Sequence, residues 1–398
     1  MEDHLDKDEF LTLLAQTNTA PYLIPVKRAE GIYIWDKDDK KYMDMIAGVA
    51  VNNIGHRHPK VVNAIKDQAD KYLHVMVYGE FVQEPQSLLA KHLNSLLPDS
   101  LNCTYLVNSG TEANEGALKL AKRYTGRQEI ISFKGSYHGS THGSLSVSGN
   151  ETKKGAFRPL LPGVKFIEFN QAADLQHITQ HTAAVIMETV QGDAGVRIPD
   201  KAFMQALREK CNETGALLIL DEIQCGMGRA GSMFAFEKFE IVPDILTLGK
   251  ALGGGMPIGA FIANKSVMNV LTHDPMLGHI TTFGGHPVIA AAANACLEVL
   301  KEESWMAEVD EKGQVLEELL SGCTDIKAIR RAGLMFAIDM ESDEKVAKVV
   351  NECLKRGLIS FWFLSHPHSF RLSPPLSISM DEIRIAGKII LDAIEASR

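Results

Sequence analysis

The 398-residue sequence has no apolar run near the roughly 18 residues that a membrane helix needs; residues 215–220 are typical of what is present. It has no excess of positive charge either. Lys plus Arg number 41 against 50 Asp plus Glu, a formal net charge of −9, which argues against a basic surface for duplex nucleic acid. The six cysteines (Cys103, Cys211, Cys225, Cys296, Cys323, Cys353) are scattered without a C-x-x-C pair, as expected of thiols in a reducing cytosol. Residues 1–6 are acidic where a secretory signal is basic, and no apolar segment follows them. Internal repeats and Pro- or Ser-rich linkers are missing too. The composition, 45% hydrophobic and 23% charged, is too apolar for a disordered chain. At about 150 residues per domain the length predicts two to three domains. The expectation is a soluble, cytoplasmic globular protein with no nucleic-acid or membrane partner.

Up to about Gly55 the chain is strand-rich. Residues 31–35 and 41–45 flank the charged turn 36–40 and predict a hairpin. From His58 onward helix and strand alternate. Helical periodicity marks 59–72, 86–97 and 112–124, and short apolar strands are predicted at 104–107, 129–133, 184–187 and 216–220. Strands buried on both faces and separated by helices imply an α/β protein with a mostly parallel sheet, whose ligands bind at the carboxyl ends of the strands. Two long helical stretches, 288–301 and 304–320, then precede a strand at 335–340 and suggest a second, smaller domain that the N-terminal hairpin could join.

Four features fall at such strand ends. Ser109, Gly110, Thr111 and Glu112 lie between a strand and a helix; Ser109 and Glu112 have the spacing of a capping box, and the helix start offers free N–H groups to an anion. Asp221 follows a buried strand directly, where a carboxylate is costly without a cationic partner such as a protonated ring nitrogen. Lys250, among small and apolar residues, is a candidate for a depressed pKa and amine nucleophilicity. Arg371 ends an apolar segment before Pro374-Pro375 and is suited to bidentate carboxylate binding. Taken singly, each also reads as an ordinary cap, surface lysine or salt bridge. Gly226-Met227-Gly228-Arg229-Ala230-Gly231 matches G-x-G-x-x-G, but Asp221, Glu222 and Gln224 separate it from the strand and no helix opens at its end, so a nicotinamide site is not expected there. The His56/His58 and His366/His368 pairs lack metal-site spacing, and no metal is expected.

Together these features resemble the class III (omega) aminotransferases, pyridoxal-phosphate enzymes of fold type I, over almost the whole chain. The resemblance rests on Gly31-Ile32-Tyr33-Ile34-Trp35-Asp36, residues 47–52 and 55–59, Ser109 to Asn114, Tyr137-His138-Gly139 and Glu188 to Gly192. It continues through Leu220-Asp221-Glu222-Ile223-Gln224, Gly228-Arg229, Thr247 to Ala251, Thr281 to Gly285 and Phe370-Arg371. The acetylornithine and ornithine branch is the most similar. The resemblance implies a large domain (56–290) with a mostly parallel seven-stranded sheet, and a smaller α+β domain built from 291–398 and joined by 1–55.

It also implies pyridoxal 5′-phosphate as cofactor. Lys250 would bind its aldehyde covalently and shuttle protons, and Asp221 would keep its ring nitrogen protonated. Gln224 would meet the phenolic oxygen, Tyr137 would stack on the ring, and Ser109, Gly110, Thr111 and Glu188 would complete the binding site. Thr282 would reach the phosphate in a neighbouring subunit, which implies a homodimer with shared active sites. Arg371 would take a substrate carboxylate, with Asp193 as its gating partner and Thr281 and Ser140 near the substrate. Two positions depart from the branch. Asp193 stands where ornithine-type relatives have glutamate, implying a looser gate, and Ser140 stands where the branch has a carboxylate-binding arginine. The implied reaction moves the terminal amino group of a donor such as N-acetylornithine to 2-oxoglutarate. The alternatives are an omega-amine or β-alanine-type transaminase using pyruvate, and an aminomutase of the same fold.

Overall fold

The computed structural model describes residues 7–77 and 79–398; the acidic residues 1–6 lie outside them. The strands are β1 (Val26–Glu30), β2 (Tyr33–Asp36), β3 (Lys41–Asp44), β4 (Cys103–Val107), β5 (Glu129–Phe133), β6 (Val164–Ile167), β7 (Thr182–Glu188) and β8 (Leu217–Asp221). They continue with β9 (Ile245–Gly249), β10 (Gly259–Ala263), β11 (Ala328–Ala332), β12 (Met335–Asp339), β13 (Leu358–Ile359), β14 (Phe361–Trp362) and β15 (Ser369–Leu372).

The central sheet has seven strands in the order β4-β10-β9-β8-β7-β5-β6. Every residue of β7, β8, β9 and β10 is buried, as apolar runs covered on both faces require. Alternate residues serve two different cores: Leu218, Leu220, Leu246 and Leu248 point to one, Leu217, Ile219 and Ile245 to the other. The strands from β9 to β6 pair in parallel, while β10 runs antiparallel to both β9 and β4. Its direction follows from chain length. Only a short 3-10 turn, Lys250–Gly253, and a few residues more separate β9 from β10, too few for a parallel crossover.

Two four-stranded sheets flank this one, with orders β1-β2-β3-β13 and β11-β12-β15-β14. The expected hairpin is β2–β3, with Tyr33 opposite Met43, and β13 adds to it in parallel, so the two ends of the chain share a sheet. The helix Pro287–Glu302 packs against Pro59–Lys71 and Glu84–Leu96. The glycines of 226–231 form a turn, with Gly228 and Gly231 at φ +83° and +90°. Inside it Arg229 is wholly buried and donates to the carbonyls of Leu334 and Pro374 and to Asn53 Oδ1, tying three remote segments together. No helix among the described residues is long and apolar enough to cross a membrane.

Candidate active site

Parallel pairing brings the site together. Glu188 ends β7 and Asp221 ends β8, directly opposite one another, and Asp221 faces Thr247 on β9. Lys250 follows the last residue of β9 with φ +44°, a left-handed turn of the backbone. On the antiparallel side Gly259 lies opposite both Gly249 and Val107, so β4 delivers the start of the Gly110–Thr125 helix beside Lys250. These strand ends surround a cavity of about 270 Å³ lined by Gly110, Thr111, Tyr137, Ser140, Glu188, Asp221, Gln224 and Lys250, together with His138, Gly139, Val190, Ile223 and Cys225.

The start of the Gly110–Thr125 helix leaves free amides at the cavity. Ser109 Oγ accepts from Glu112 N at 3.3 Å, as in a capping box, but the Glu112 carboxylate turns to Asn108 N at 2.6 Å instead of Ser109 N. The amides of Gly110 and Thr111 come before any intrahelical acceptor. A Cβ on Gly110 would lie 2.7 Å from the Ile223 side chain, and one on Gly139 would lie 2.2 Å from Thr111 Oγ1. Only glycine leaves the approach open at both points. The Thr111 hydroxyl is held by Thr141 at 2.8 Å and by Ser144 at 2.5 Å.

Asp221 is a buried carboxylate with well-defined partners. Oδ2 accepts from Asn114 Nδ2 and meets His138 Nδ1, both at 2.8 Å, and Oδ1 accepts from Ile223 N at 3.0 Å. Asn114 is itself fixed by Thr247 Oγ1 at 2.9 Å and by the His138 carbonyl at 2.8 Å. Glu188 accepts from Tyr137 N at 2.8 Å and Gly192 N at 2.9 Å; burial, reinforced by the charge of Asp221, pushes its carboxyl up to about 7. Burial lowers the Lys250 ammonium below the ordinary lysine range, against the raising pull of Asp221 and Glu188. A lysine that is readily neutral beside an ionisable carboxylate can act as nucleophile and as proton carrier.

Tyr137 is partly exposed at the cavity and its hydroxyl meets Ser140 Oγ at 3.2 Å. Gln224 packs against Gly192, whose Cβ would fall 1.8 Å from the amide oxygen. Arg371, on β15, pairs with Asp193 at 2.8 Å, and both are buried. The pair does not line the cavity, although the Arg371 charge lowers the Lys250 ammonium further. Asp193 is held by Leu364 N and Ser365 Oγ as well, so its shorter side chain still collects three donors. Thr281 and Thr282 are not brought to this cavity. Thr281 lines a separate cavity with Gln83, Tyr105 and Gly284, and Thr282 is exposed.

His138, Asn114 and Thr247 join the site although the sequence pattern does not single them out. The signal was available: each is a polar residue embedded in an apolar stretch, and such residues need a buried partner.

The model of the aminotransferase class-III family matches residues 14–394. The chain belongs to this family. It is 38% identical over 395 residues to an acetylornithine aminotransferase of Methanopyrus kandleri, covering 99% of this chain and 100% of that one. An ornithine aminotransferase 1 of Staphylococcus aureus is 39% identical, covering 94% and 95%. An ornithine aminotransferase from Toxoplasma gondii, described with partial occupancy of PLP at its active site, superposes with a TM-score of 0.90 at 30% identity, covering 98% and 94%. The architecture is that of these aminotransferases, an α/β fold around a mostly parallel seven-stranded sheet.

Proposed function

We propose that this aminotransferase moves the terminal amino group of an amino acid such as N-acetylornithine to 2-oxoglutarate, giving a semialdehyde and glutamate. The observation that carries the reading is the meeting of Lys250, Asp221 and the Gly110–Thr111 helix start at one cavity, with Arg371 alongside. The cofactor is pyridoxal 5′-phosphate. The donor set suits it: amides and a fixed hydroxyl for a phosphate, a buried carboxylate for a cationic ring nitrogen, and an amine with a depressed pKa for an aldehyde. When bound, the cofactor would supply an electron sink for the reacting donor carbon.

The protein's own residues do the rest. Asp221, fixed by Asn114 and His138, would present its carboxylate to the ring nitrogen. Gln224 would offer its amide to the phenolic oxygen and Tyr137 a flat face to the ring, while Ser109 and Glu188 hold the loops behind them. Lys250 Nζ, whose ammonium burial disfavours, takes and returns the migrating proton. Arg371 receives a substrate carboxylate by exchanging Asp193 for it.

On this reading 56–290 form the large domain and 291–398 with 1–55 the smaller one. Thr282 and Thr281 serve the partner's site in a homodimer, a role that suits the exposed apolar residues Met276, Ile280 and Phe283 beside them. A second reading, an omega-amine transaminase using pyruvate, is favoured by one observation: among the described residues no lysine or arginine other than Lys250 lines the cavity, and Ser140 does. A panel of acetylornithine, ornithine, 4-aminobutyrate and simple amines, each with 2-oxoglutarate and with pyruvate, separates the two. Turnover of acetylornithine with 2-oxoglutarate supports the first; turnover only of uncharged amines with pyruvate sinks it.

A further inference from the structure

The Asp193–Arg371 pair is lopsided. Arg371 donates to Asp193 Oδ1 from NH2 at 2.8 Å, its Nε has no partner among the described residues, and its guanidinium lies 4.5 Å from the Phe363 ring. Asp193 is far better served. Oδ1 also accepts from Leu364 N at 3.2 Å, and Oδ2 accepts from Ser365 Oγ at 2.6 Å. Ser365 Oγ in turn accepts from Asn150 Nδ2 at 2.9 Å, which turns the serine proton towards Asp193. The serine uses the oxygen that the arginine leaves alone, so the two donors do not compete.

That geometry bears on substrate choice. A buried carboxylate stripped of its cation and left without donors is strongly disfavoured. If an incoming carboxylate takes Arg371, Asp193 still holds Ser365 Oγ and Leu364 N. A hydrogen bond to a carboxylate with no cation beside it is worth more than one to a paired carboxylate. Ser365 therefore stabilises the exchanged state more than the paired state.

We propose that Ser365, oriented by Asn150, is a specificity-determining residue that holds Asp193 while Arg371 is engaged by a substrate carboxylate, and so admits dicarboxylates. The inference rests on the reading that Arg371 receives that carboxylate. Ser365 is a positioning residue and touches no reacting atom.

The test is the dissociation constant of glutarate, an unreactive dicarboxylate, for the holoenzyme by calorimetry, with thermal melting as a check on folding. Ser365→Ala is expected to weaken glutarate by about tenfold, the amount by which the hydrogen bond to Asp193 strengthens once the cation has left it. Ser365→Thr, which keeps the hydroxyl, restores affinity, and Asn150→Ala weakens it in the same direction. Asp193→Ala removes the competitor, and in that background Ser365→Ala has no further effect. Unchanged affinity in Ser365→Ala, or an equal loss in the Asp193→Ala background, would overturn the inference. Wild-type glutarate affinity in Arg371→Leu is a separate result; it would overturn the reading of Arg371 and the inference with it.

Discussion

Asp221 Oδ2 lies 2.8 Å from Nδ1 of His138, a ring with no exposed surface whose Nε2 has no partner among the described residues. With Asn114 on the same oxygen, the carboxylate cannot turn away from the cavity without stranding two buried polar side chains. Asp221→Asn keeps the shape but removes the charge. It should lower kcat on the order of 100-fold, with cofactor affinity reduced as well. A steady-state assay at saturating cofactor, beside a cofactor titration, checks both; wild-type kcat would remove Asp221 from the mechanism.

The depressed pKa of Lys250 sets a pH profile. Its neutral amine is the reactive form, so cofactor uptake by the apoprotein should speed up with pH and level off below the ordinary lysine value of about 10.4. Asp221 raises this pKa by attraction, so Asp221→Ala should move the profile to lower pH. Stopped-flow absorbance across pH reads the midpoint. A profile unmoved by the substitution would mean that the two groups do not interact.

Glu188 sets a second one. Burial holds its carboxyl up at about 7 when folded, against about 4.3 when unfolded, so the folded state binds the extra proton between those values. Its contribution to stability is fullest at acid pH and declines as pH rises through that window. The apoprotein of Glu188→Gln lacks this decline. Its stability relative to wild type should therefore improve between pH 5 and 8, by up to about 3 kcal/mol. Chemical denaturation of both proteins at the two pH values measures the difference, and a difference that shrinks with pH would contradict the assignment.

Glycine is required at 192 by Gln224, whose amide oxygen would sit 1.8 Å from a Cβ there. Gly192→Ala should displace the Gln224 amide and weaken cofactor binding about tenfold, a lost hydrogen bond to a charged oxygen, with little change in melting temperature. Equal losses of melting temperature and cofactor affinity would point to general misfolding.

What the sequence reveals and conceals follows from the range of the interactions. Asp221 and Lys250 are legible because each closes an apolar strand, a local pattern. The helix at Gly110 is legible through its cap and the hairpin β2–β3 through its charged turn. Antiparallel β10 is not: residues 259–263 are as apolar as a parallel strand, and only the shortness of the preceding connection dictates its direction. The pairing of β13 with β3 joins residues over three hundred positions apart, and no local pattern encodes it. The Asn114–Asp221–His138 network likewise depends on three elements meeting. The G-x-G-x-x-G match shows the converse: its glycines serve a turn around buried Arg229, whose charge rests on carbonyls from Leu334 and Pro374.

On this mechanism the cofactor is carried on Lys250. Borohydride reduction of the holoenzyme followed by peptide mass mapping tests it directly. One added cofactor mass per chain is expected on the peptide containing Lys250, and neither that mass nor transamination in Lys250→Ala. An active enzyme with the mass on another lysine, or a fully active Lys250→Ala protein, would contradict it.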